Sequence, residues 1–472
     1  MKHTTNIYNI LSSKGLATWL CPILGLILIL TTSCEDFVEI DPPNNQLTGS
    51  VVFEEATTVN AALVHVYTGL RDHTLTNGGL SGLSFLLGHY TDELELYSTS
   101  LPDAQAFYDN TLLPTNSYVE GLWSSAYNLV HATNAIIEGL EGNTMLPESD
   151  RDRFLGEAYF LRGFIHFQLA NLFGEVPYVE TTDYVANSEA EKLDVSQVHE
   201  RVIADLLLAK SLLPMDSGLE KVRPDRWTAS AILARVYLYN GQWELAHTEA
   251  SDVIANGNHA LNTDVGLVFL GDSPETLWQF SEGGAGANTL EAQTFIFSSG
   301  PPPTTALSDV LMDTFEAGDT RREQWAAAVT DGTGTWYHPN KYKLNTNSGT
   351  TQERSIVVRL AELYLIAAEA SAQLGDVDTA LDYLNPIRER AGLSPLDGLG
   401  QGAVLEAIQR ERRVELFTEH GHRFFDLKRT GRAHGELSPI KPNWEATDVL
   451  LPLPASELLL NPNLLPQNEG YQ

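Results

Sequence analysis

Two helical hairpins with the same internal spacing constrain the fold of this chain most strongly. In the segment from Thr228 to Ile254, Gly241 interrupts a helical pattern and Ala246 follows it. In the segment from Arg359 to Ile387, Gly375 and Ala380 repeat that spacing. Glycine supplies the turn, and small residues let the paired helices approach closely. Hairpins of this kind bury their apolar faces only against neighbouring hairpins, so the pattern predicts a stacked helical array of the tetratricopeptide kind.

Other long segments have the same helical character. Apolar residues recur three or four apart from Arg153 to Phe173, from Val195 to Leu213 and from Val404 to Thr418, which is the period of an amphipathic helix. Two stretches differ: residues 74–116 and 257–349 have loop composition, the second with short β-like runs. The sequence therefore predicts a mainly α fold that carries an irregular, loop-rich portion with short β elements, and long loops of this kind are usually functional.

The amino terminus predicts export. Lys2 and Lys14 precede an uncharged apolar run from Leu16 to Leu30, which is shorter than the roughly 20 residues of a membrane span and fits a signal peptide. Small residues then precede Cys34, which predicts cleavage before Cys34 and lipidation of its thiol; secretion without a lipid is the alternative. The predicted organisation is a signal peptide over 1–33, a lipidated tether over 34–50 and a single domain over 51–472, with parts of about 51–256 and 257–472.

Composition excludes several function classes. The net charge of -33 repels phosphate backbones, so nucleic acid is not expected as a partner. Strongly anionic polymers are disfavoured for the same reason, unless a basic patch at Lys341 and Lys343 overrides the charge. The only cysteines are Cys21 and Cys34, which excludes an internal disulfide, a catalytic cysteine and a multi-cysteine zinc site in the mature chain.

Motif searching yields no catalytic site. The chain has no phosphate-binding loop, no HExxH and no GxSxG. The best acidic cluster, from Asp92 to Glu95, has no identifiable partner acid, so a structural role is favoured over a catalytic or calcium-binding one. In the charged segment from Arg410 to Arg429 we expect structural ion pairs, which would join Arg412, Arg413 and Arg423 to Glu415, Glu419 and Asp426. The sequence predicts no catalytic residue, no metal ligand and no cofactor, and leaves open whether calcium assists binding.

Aromatic residues that lie outside the amphipathic helical segments are the remaining candidates for a functional site. A sugar ring presents an apolar C–H face that a phenol or indole can cover, while polar groups bind its hydroxyls. For each aromatic, a place in the core is the alternative. The predicted ligand contacts are Tyr90, Asp92, Tyr97, Tyr108, Trp278, Trp336 and Tyr337.

An ordered set of short sequence motifs along the chain indicates a protein family. The set includes Gly156-Glu-Ala-Tyr-Phe-Leu-Arg162, Phe173-Gly-Glu-Val-Pro177, Glu411-Arg-Arg-Val-Glu-Leu416 and Leu451-Pro-Leu-Pro454. Each motif is weak alone, but their order is specific. From Cys34 to Tyr471 the chain resembles the SusD/RagB family of Bacteroidetes outer-membrane nutrient-binding lipoproteins.

The resemblance implies both a fold and a function. The family fold is a right-handed superhelix of four tetratricopeptide-like helical pairs with an irregular ligand-binding portion. Members are anchored by lipid to the outer membrane at the cell surface and bind oligosaccharides or polysaccharides without cleaving them. They form a lid on a SusC-like TonB-dependent transporter. Two alternatives remain: a scaffold that binds protein or peptide, and a surface glycoside hydrolase with two acids within about 10 Å of each other.

Overall fold

Helices dominate the computed structural model, which describes residues 52–216, 218 and 220–471. The predicted signal peptide, Cys34 and the tether lie outside these residues, and the proposed domain boundaries stay a prediction. The helices are α1 Ala56–Asp72, α2 Leu83–Tyr90, α3 Pro102–Tyr108, α4 Ser117–Leu140, α5 Glu148–Phe173, α6 Tyr184–Ser188, α7 Val195–Leu212, α8 Arg226–Tyr239, α9 Trp243–Asn256, α10 Leu290–Phe295, α11 Asp309–Met312, α12 Thr320–Trp325, α13 Leu360–Gln373, α14 Val377–Arg390, α15 Gln401–Leu416, α16 His422–Arg429, α17 Ala433–Leu437 and α18 Ala455–Leu460.

The long helices stack in sequence order. Helix α4 packs on α5, α5 on α7, α7 on α8, α8 on α9, α9 on α13, and α13 on both α14 and α15. The two predicted hairpins are α8–α9 and α13–α14, and their turn glycines Gly241 and Gly375 have φ of 67° and 87°. The prediction of a tetratricopeptide-like helical array is confirmed, because each long helix buries its apolar face against its neighbours in the stack.

The strands are short and belong to the irregular portion. They are β1 Leu94–Leu96, β2 Thr276–Gln279, β3 Thr305–Leu307, β4 Ala326–Thr330, β5 Thr335–Pro339 and β6 Ile356–Arg359. The described strands form three two-stranded antiparallel sheets, β1 with β3, β2 with β6 and β4 with β5. The prediction of short β elements is confirmed, and β1–β3 joins the two stretches of loop composition.

The stretch 74–116 is more regular than its composition indicates. It contains α2, β1 and α3. Every residue of α2 is buried, and a helix that is buried on all sides has no polar face and so no amphipathic period to detect. The last residues of α2 contact residues far along the chain: the Tyr90 hydroxyl donates to the Asp448 carbonyl, and the Lys441 ammonium donates to the His89 carbonyl. A local sequence pattern does not reveal such partners.

Charged side chains at the carboxyl end form a buried network wider than the one predicted. Arg412 pairs with Asp426 at 2.7 Å as expected. Glu415, however, pairs with Arg321 at 2.8 Å and with Arg359 at 2.5 Å, and these arginines lie on other elements. Glu419 pairs with Lys341 and Arg359, and Arg413 and Arg423 pair with Asp92. Apart from Arg412–Asp426, the pairings predicted from sequence were therefore wrong, because only partners within one segment were considered and the real ones come from other elements.

No helix in the described part of the chain is both long and apolar enough to cross a bilayer.

Candidate ligand-binding site

Strand β1 carries the first accessible aromatic side chain to the surface. In the β1–β3 pair Leu96 lies opposite Thr305, and the Tyr97 amide that follows donates a hydrogen bond to the Thr304 carbonyl at 2.8 Å. The Tyr97 side chain remains 39% exposed. Pairing with β3 therefore fixes the backbone of Tyr97 while its ring stays accessible to solvent.

Trp336 reaches Tyr97 from the neighbouring hairpin. It lies on β5 opposite Val329 of β4, and β5 packs beside β3. Burial raises the pKa of Tyr97, and the Trp336 indole is near enough to the Tyr97 hydroxyl to lower it in part. The indole lies over Gly300 so closely that a Cβ there would sit 2.1 Å from a ring carbon. Gly300 thus provides the space in which the half-buried indole lies.

Tyr108 completes the cluster from α3. Its hydroxyl donates to the Glu95 carboxylate of β1, and the Lys441 ammonium lies 4.2 Å from the centre of its ring. The same ammonium donates to the carbonyls of Tyr108 at 2.9 Å and of His89 at 2.7 Å. These contacts fix Tyr108, and we refer to Tyr97, Tyr108 and Trp336 as the aromatic cluster.

The cluster lies in an acidic environment. Burial and then the charge of Glu95 raise the pKa of Tyr97, and Asp309 adds to that shift. Burial and a hydrogen bond to Glu95 raise the pKa of Tyr108. Burial lowers the pKa of Lys441 to about 8. Both phenols are therefore neutral donors at physiological pH, and the neighbouring carboxylates favour a neutral ligand over an anionic one.

Tyr337 lies on the opposite face of β5. Successive strand residues point to opposite sides of a sheet, so Tyr337 points away from Trp336. The Arg322 guanidinium is 5.4 Å from the centre of its half-buried ring. The predicted contact at Tyr337 is therefore placed on the same hairpin but outside the aromatic cluster.

Tyr90 and Trp278 are core residues. Tyr90 donates its hydroxyl to the Asp448 carbonyl at 3.1 Å, and its ring packs edge-on against Phe107, Phe424 and Trp444. Trp278 is fully buried on β2. These two predicted ligand contacts must be corrected, because both rings are enclosed by protein and present no face to a ligand.

The Asp92 carboxylate is also occupied by interactions inside the protein. Its carboxylate accepts two hydrogen bonds from Arg423, at 2.9 and 2.8 Å, and one from Arg413 at 2.8 Å. Burial alone would raise its pKa, but Arg423 and then Arg413 lower it overall. Glu93 beside it is buried, and burial together with the Asp92 charge raises its pKa to about 7. Neither carboxyl faces a cleft, so the prediction of Asp92 as a ligand contact is also corrected.

Sequence reasoning missed Gly300 and Lys441, which support the aromatic cluster, and it named Glu95 only as part of the acidic cluster from Asp92 to Glu95. Gly300 was visible only as part of a Gly-Pro-Pro-Pro breaker. Lys441 lies far from Tyr108 in sequence, and no local pattern connects them. Within the described residues no group of three or more His, Cys, Asp or Glu side chains is arranged to hold a metal ion.

The aromatic cluster lies at the surface of the protein, where Tyr97 is exposed and Tyr108 and Trp336 are half-buried. A polar cavity of about 550 Å³ lies elsewhere, lined by residues that include Lys221, Asp272 and Arg354. Arg354 is already paired, with Glu220 at 2.7 Å and with Glu282 at 3.2 Å. Aromatic clusters at a surface suit extended ligands that are bound along one face.

Comparison with known proteins agrees with the fold. A family model described as "SusD family" matches residues 312–471, and one described as "Starch-binding associating with outer membrane" matches residues 36–238. A relative from Formosa agariphila, "SusD-like protein P2", is 29% identical over 95% of this chain and 99% of its own length.

Solved structures extend the comparison. A SusD superfamily protein from Bacteroides vulgatus has a TM-score of 0.78 and 24% identity, covering 88% of this chain and 99% of its own. A structure described as "Laminarin binding SusD-like protein" has a TM-score of 0.73 and 26% identity, with the same coverage of 88% and 99%. The stacked helices and the irregular portion described above are thus shared with known folds.

Proposed function

This chain belongs to the SusD/RagB family, and on that basis we propose that it binds neutral oligosaccharides or polysaccharides without cleaving them. In this proposal it acts at the cell surface and delivers the glycan as a lid to a SusC-like TonB-dependent transporter. The relative described as laminarin-binding supports the ligand class, and it makes laminarin the first polysaccharide to test.

The observation that carries the proposal is the aromatic cluster. Tyr97 is accessible and Trp336 is half-buried, and the two side chains are close enough to interact. Fixed rings lose little conformational freedom when a ligand covers them. Neighbouring aromatic rings with carboxylates close by match the apolar face and hydroxyls of a pyranose.

Two observations weigh against the alternatives. A glycoside hydrolase needs two carboxyl groups that face one bond across a cleft, whereas Asp92 is held by arginines and Glu93 is buried. A scaffold that binds only protein would leave all the predicted aromatics in the core, whereas Tyr97 is accessible although Tyr90 and Trp278 are buried. Both features favour glycan capture.

The anchoring part of the proposal rests on the sequence. Cys34 follows the predicted export signal, and one matching family model is described as associating with the outer membrane. We propose that Cys34 carries the lipid and that a neighbouring transporter is the partner. Mass spectrometry of the natural protein tests this directly, since an unmodified mature amino terminus would contradict it.

Isothermal titration with laminarin, soluble starch and galactomannan tests glycan binding. Trp336→Ala removes the indole from the aromatic cluster, and we expect it to weaken binding about tenfold or more, equivalent to about 1.4 kcal/mol. Trp243→Ala on α9 is the matched control, since it removes a half-buried indole from the helical stack and should leave affinity unchanged. Repeating the titration with a chelator measures any contribution of calcium.

Three results would contradict the proposal. The first is binding to none of the three polysaccharides. The second is equal loss of affinity in Trp336→Ala and Trp243→Ala, which would indicate damage to the fold rather than to a site. The third is release of shortened products by the purified protein, which would identify it as a hydrolase.

A further inference from the structure

A groove on the helical stack has the composition of a second ligand site. It lies between α4, α6 and α18 and has a volume of about 480 Å³, within the range of roughly 300–1,000 Å³ typical of ligand pockets. Its lining includes Tyr127, Asn128, His131, Tyr184, Asn187 and Glu457. We call this set the α4 groove.

The floor of the α4 groove is rigid. The Tyr127 hydroxyl donates to the Pro177 carbonyl at 2.8 Å, and the Tyr127 ring packs on Trp123 with 4.9 Å between ring centres. Trp123 is buried. Burial raises the pKa of Glu457 on α18, and the Trp123 indole is near enough to that carboxylate to lower it in part. The aromatic faces and the carboxylate are therefore in place before any ligand arrives.

An unusually exposed tyrosine forms one wall. Tyr184 is 81% exposed, and α6, on which it lies, has no buried residue. The Asp183 side chain caps this short helix by accepting from the amides of Val185 and Ala186. The phenol ring contributes little to the core, so its position on the rim of a concave surface is available for a ligand.

The polar lining distinguishes between a sugar and an apolar protein segment. Asn128 and His131 lie one turn apart on α4, and both are exposed. Neither side chain makes a hydrogen bond to another described residue. The Asn187 amide donates to the Thr181 carbonyl at 2.8 Å, which leaves its own side-chain oxygen as an acceptor. An apolar segment would bury these groups unpaired, at a cost, whereas sugar hydroxyls would pair with them while a ring face covers Tyr184.

Helix α4 connects the groove with the aromatic cluster. At the start of α4 the Asn116 amide donates to the Asp103 carbonyl at 3.0 Å, and Asp103 lies on α3, which carries Tyr108. Tyr127 lies about 15 Å along α4 from its first residue, at 1.5 Å per residue. The path from Tyr108 to Tyr127 along the two helices is on the order of 25 Å, so a polysaccharide chain is long enough to reach both sites.

We propose that the α4 groove is a second binding site for the neutral glycan, occupied by a more distant part of the chain that the aromatic cluster holds. This inference rests on the proposed function of the cluster. Two contacts on one polymer raise its apparent affinity, because the second contact forms within an existing complex. A short oligosaccharide gains nothing from the second site, and this difference makes the inference testable.

The experiment compares polymer and trisaccharide binding in variants of the purified protein. The polymers are laminarin, soluble starch and galactomannan, with laminaritriose, maltotriose and mannotriose as their short counterparts. Tyr184→Ala combined with Asn128→Ala should weaken binding of the recognised polymer about tenfold and leave the affinity for its trisaccharide within twofold. Trp336→Ala should weaken both. Leu245→Ala, which removes an exposed apolar side chain from α9, is the control and should change neither.

The outcomes separate the two inferences. Unchanged polymer affinity in the Tyr184 and Asn128 double variant overturns the second site and leaves the cluster intact. Equal loss for polymer and trisaccharide also overturns it, because the groove would then be part of one continuous site. Binding of no polymer or trisaccharide by the unaltered protein overturns both. Thermal melting checks the fold of each variant. Because Tyr184 and Asn128 are exposed, the double variant should have the melting temperature of the parent.

Discussion

At the scale of single residues, a buried arginine holds the irregular portion to the helical stack. Arg359 ends β6 and is 2% exposed at its side chain. It pairs with Glu415 at 2.5 Å and with Glu419 at 2.8 Å. Burial alone would raise the pKa of Glu419, but Arg359 and then Lys341 lower it to about 2. Both carboxylates therefore stay charged inside the protein because cations surround them.

Removing that arginine should be severely destabilising. We expect Arg359→Met to lower the free energy of unfolding by about 3–5 kcal/mol, since it removes from the buried Glu415 and Glu419 carboxylates a cation that pairs with both. Arg201→Met is the matched control, because Arg201 pairs with Glu180 at the surface with its side chain 49% exposed, and exposed pairs contribute less than about 1 kcal/mol. Urea denaturation measures both, and similar losses would contradict this account of the network.

Glu93 should make the protein less stable as the pH rises towards 8. Its folded-state pKa of about 7 lies above the ordinary 4.5, so the folded protein holds this proton more tightly than the unfolded chain. The stabilisation is complete below pH 4.5 and is lost as pH rises to 7. Glu93→Gln mimics the protonated acid, so it should exceed the parent in stability by less than about 1 kcal/mol at pH 5 and by up to about 3 kcal/mol at pH 8.

Urea midpoints at pH 5 and pH 8 check this prediction. Glu469→Gln at the exposed carboxyl end is the control and should show no such difference. An effect of Glu93→Gln that is equal at the two pH values would mean that the side chain acts through packing rather than through its proton.

At the scale of elements, the hairpins were predictable because their signals are local. Gly241 and Gly375 each stand at a turn with positive φ, and the apolar spacing of the flanking helices shows in a short window of sequence. The burial of Tyr90 and Trp278 was not predictable in this way. Tyr90 packs against Phe424 and Trp444, which come more than three hundred residues later, and loop composition carries no information about such partners.

Replacing glycine by alanine should change the free energy of unfolding in opposite directions at the hairpin turns and inside a helix. Gly241→Ala and Gly375→Ala place a side chain at φ of 67° and 87°, which should cost about 1–2 kcal/mol each. Gly402→Ala lies in the first turn of α15, with no positive φ and no atom near the added Cβ. It should stabilise by about 0.5–1 kcal/mol. Thermal melting separates the two groups, and a common sign would contradict the role of the turns.

At the scale of the whole molecule, net charge sets which polymers can approach. The sequence offered Lys341 and Lys343 as a basic patch, but the Lys341 ammonium is buried and donates to the carbonyls of Glu415 and Phe417 at 2.8 Å. Its charge is therefore used inside the protein. The aromatic cluster was predictable only as a class of contact, because which of seven residues share one surface depends on how β1, β3 and β5 meet.

Anionic polymers should accordingly bind poorly. With a net charge of -33 and screening weak at low salt, we expect no retention of the protein by dextran sulfate in native gels with a chelator present. Unsulfated dextran in a parallel gel controls for retardation by the polymer itself. Tight retention by the sulfated form alone would mean that local cations outweigh the overall charge.

The ion pairs of Asp92 carry a consequence for biogenesis. Asp92 lies in the first quarter of the chain, and its partners Arg413 and Arg423 follow 321 and 331 residues later. A nascent chain therefore exposes an unpaired carboxylate in its early segment until nearly the last residues have left the ribosome. Closure of the early segment around Asp92 must therefore wait until synthesis of the chain is nearly complete.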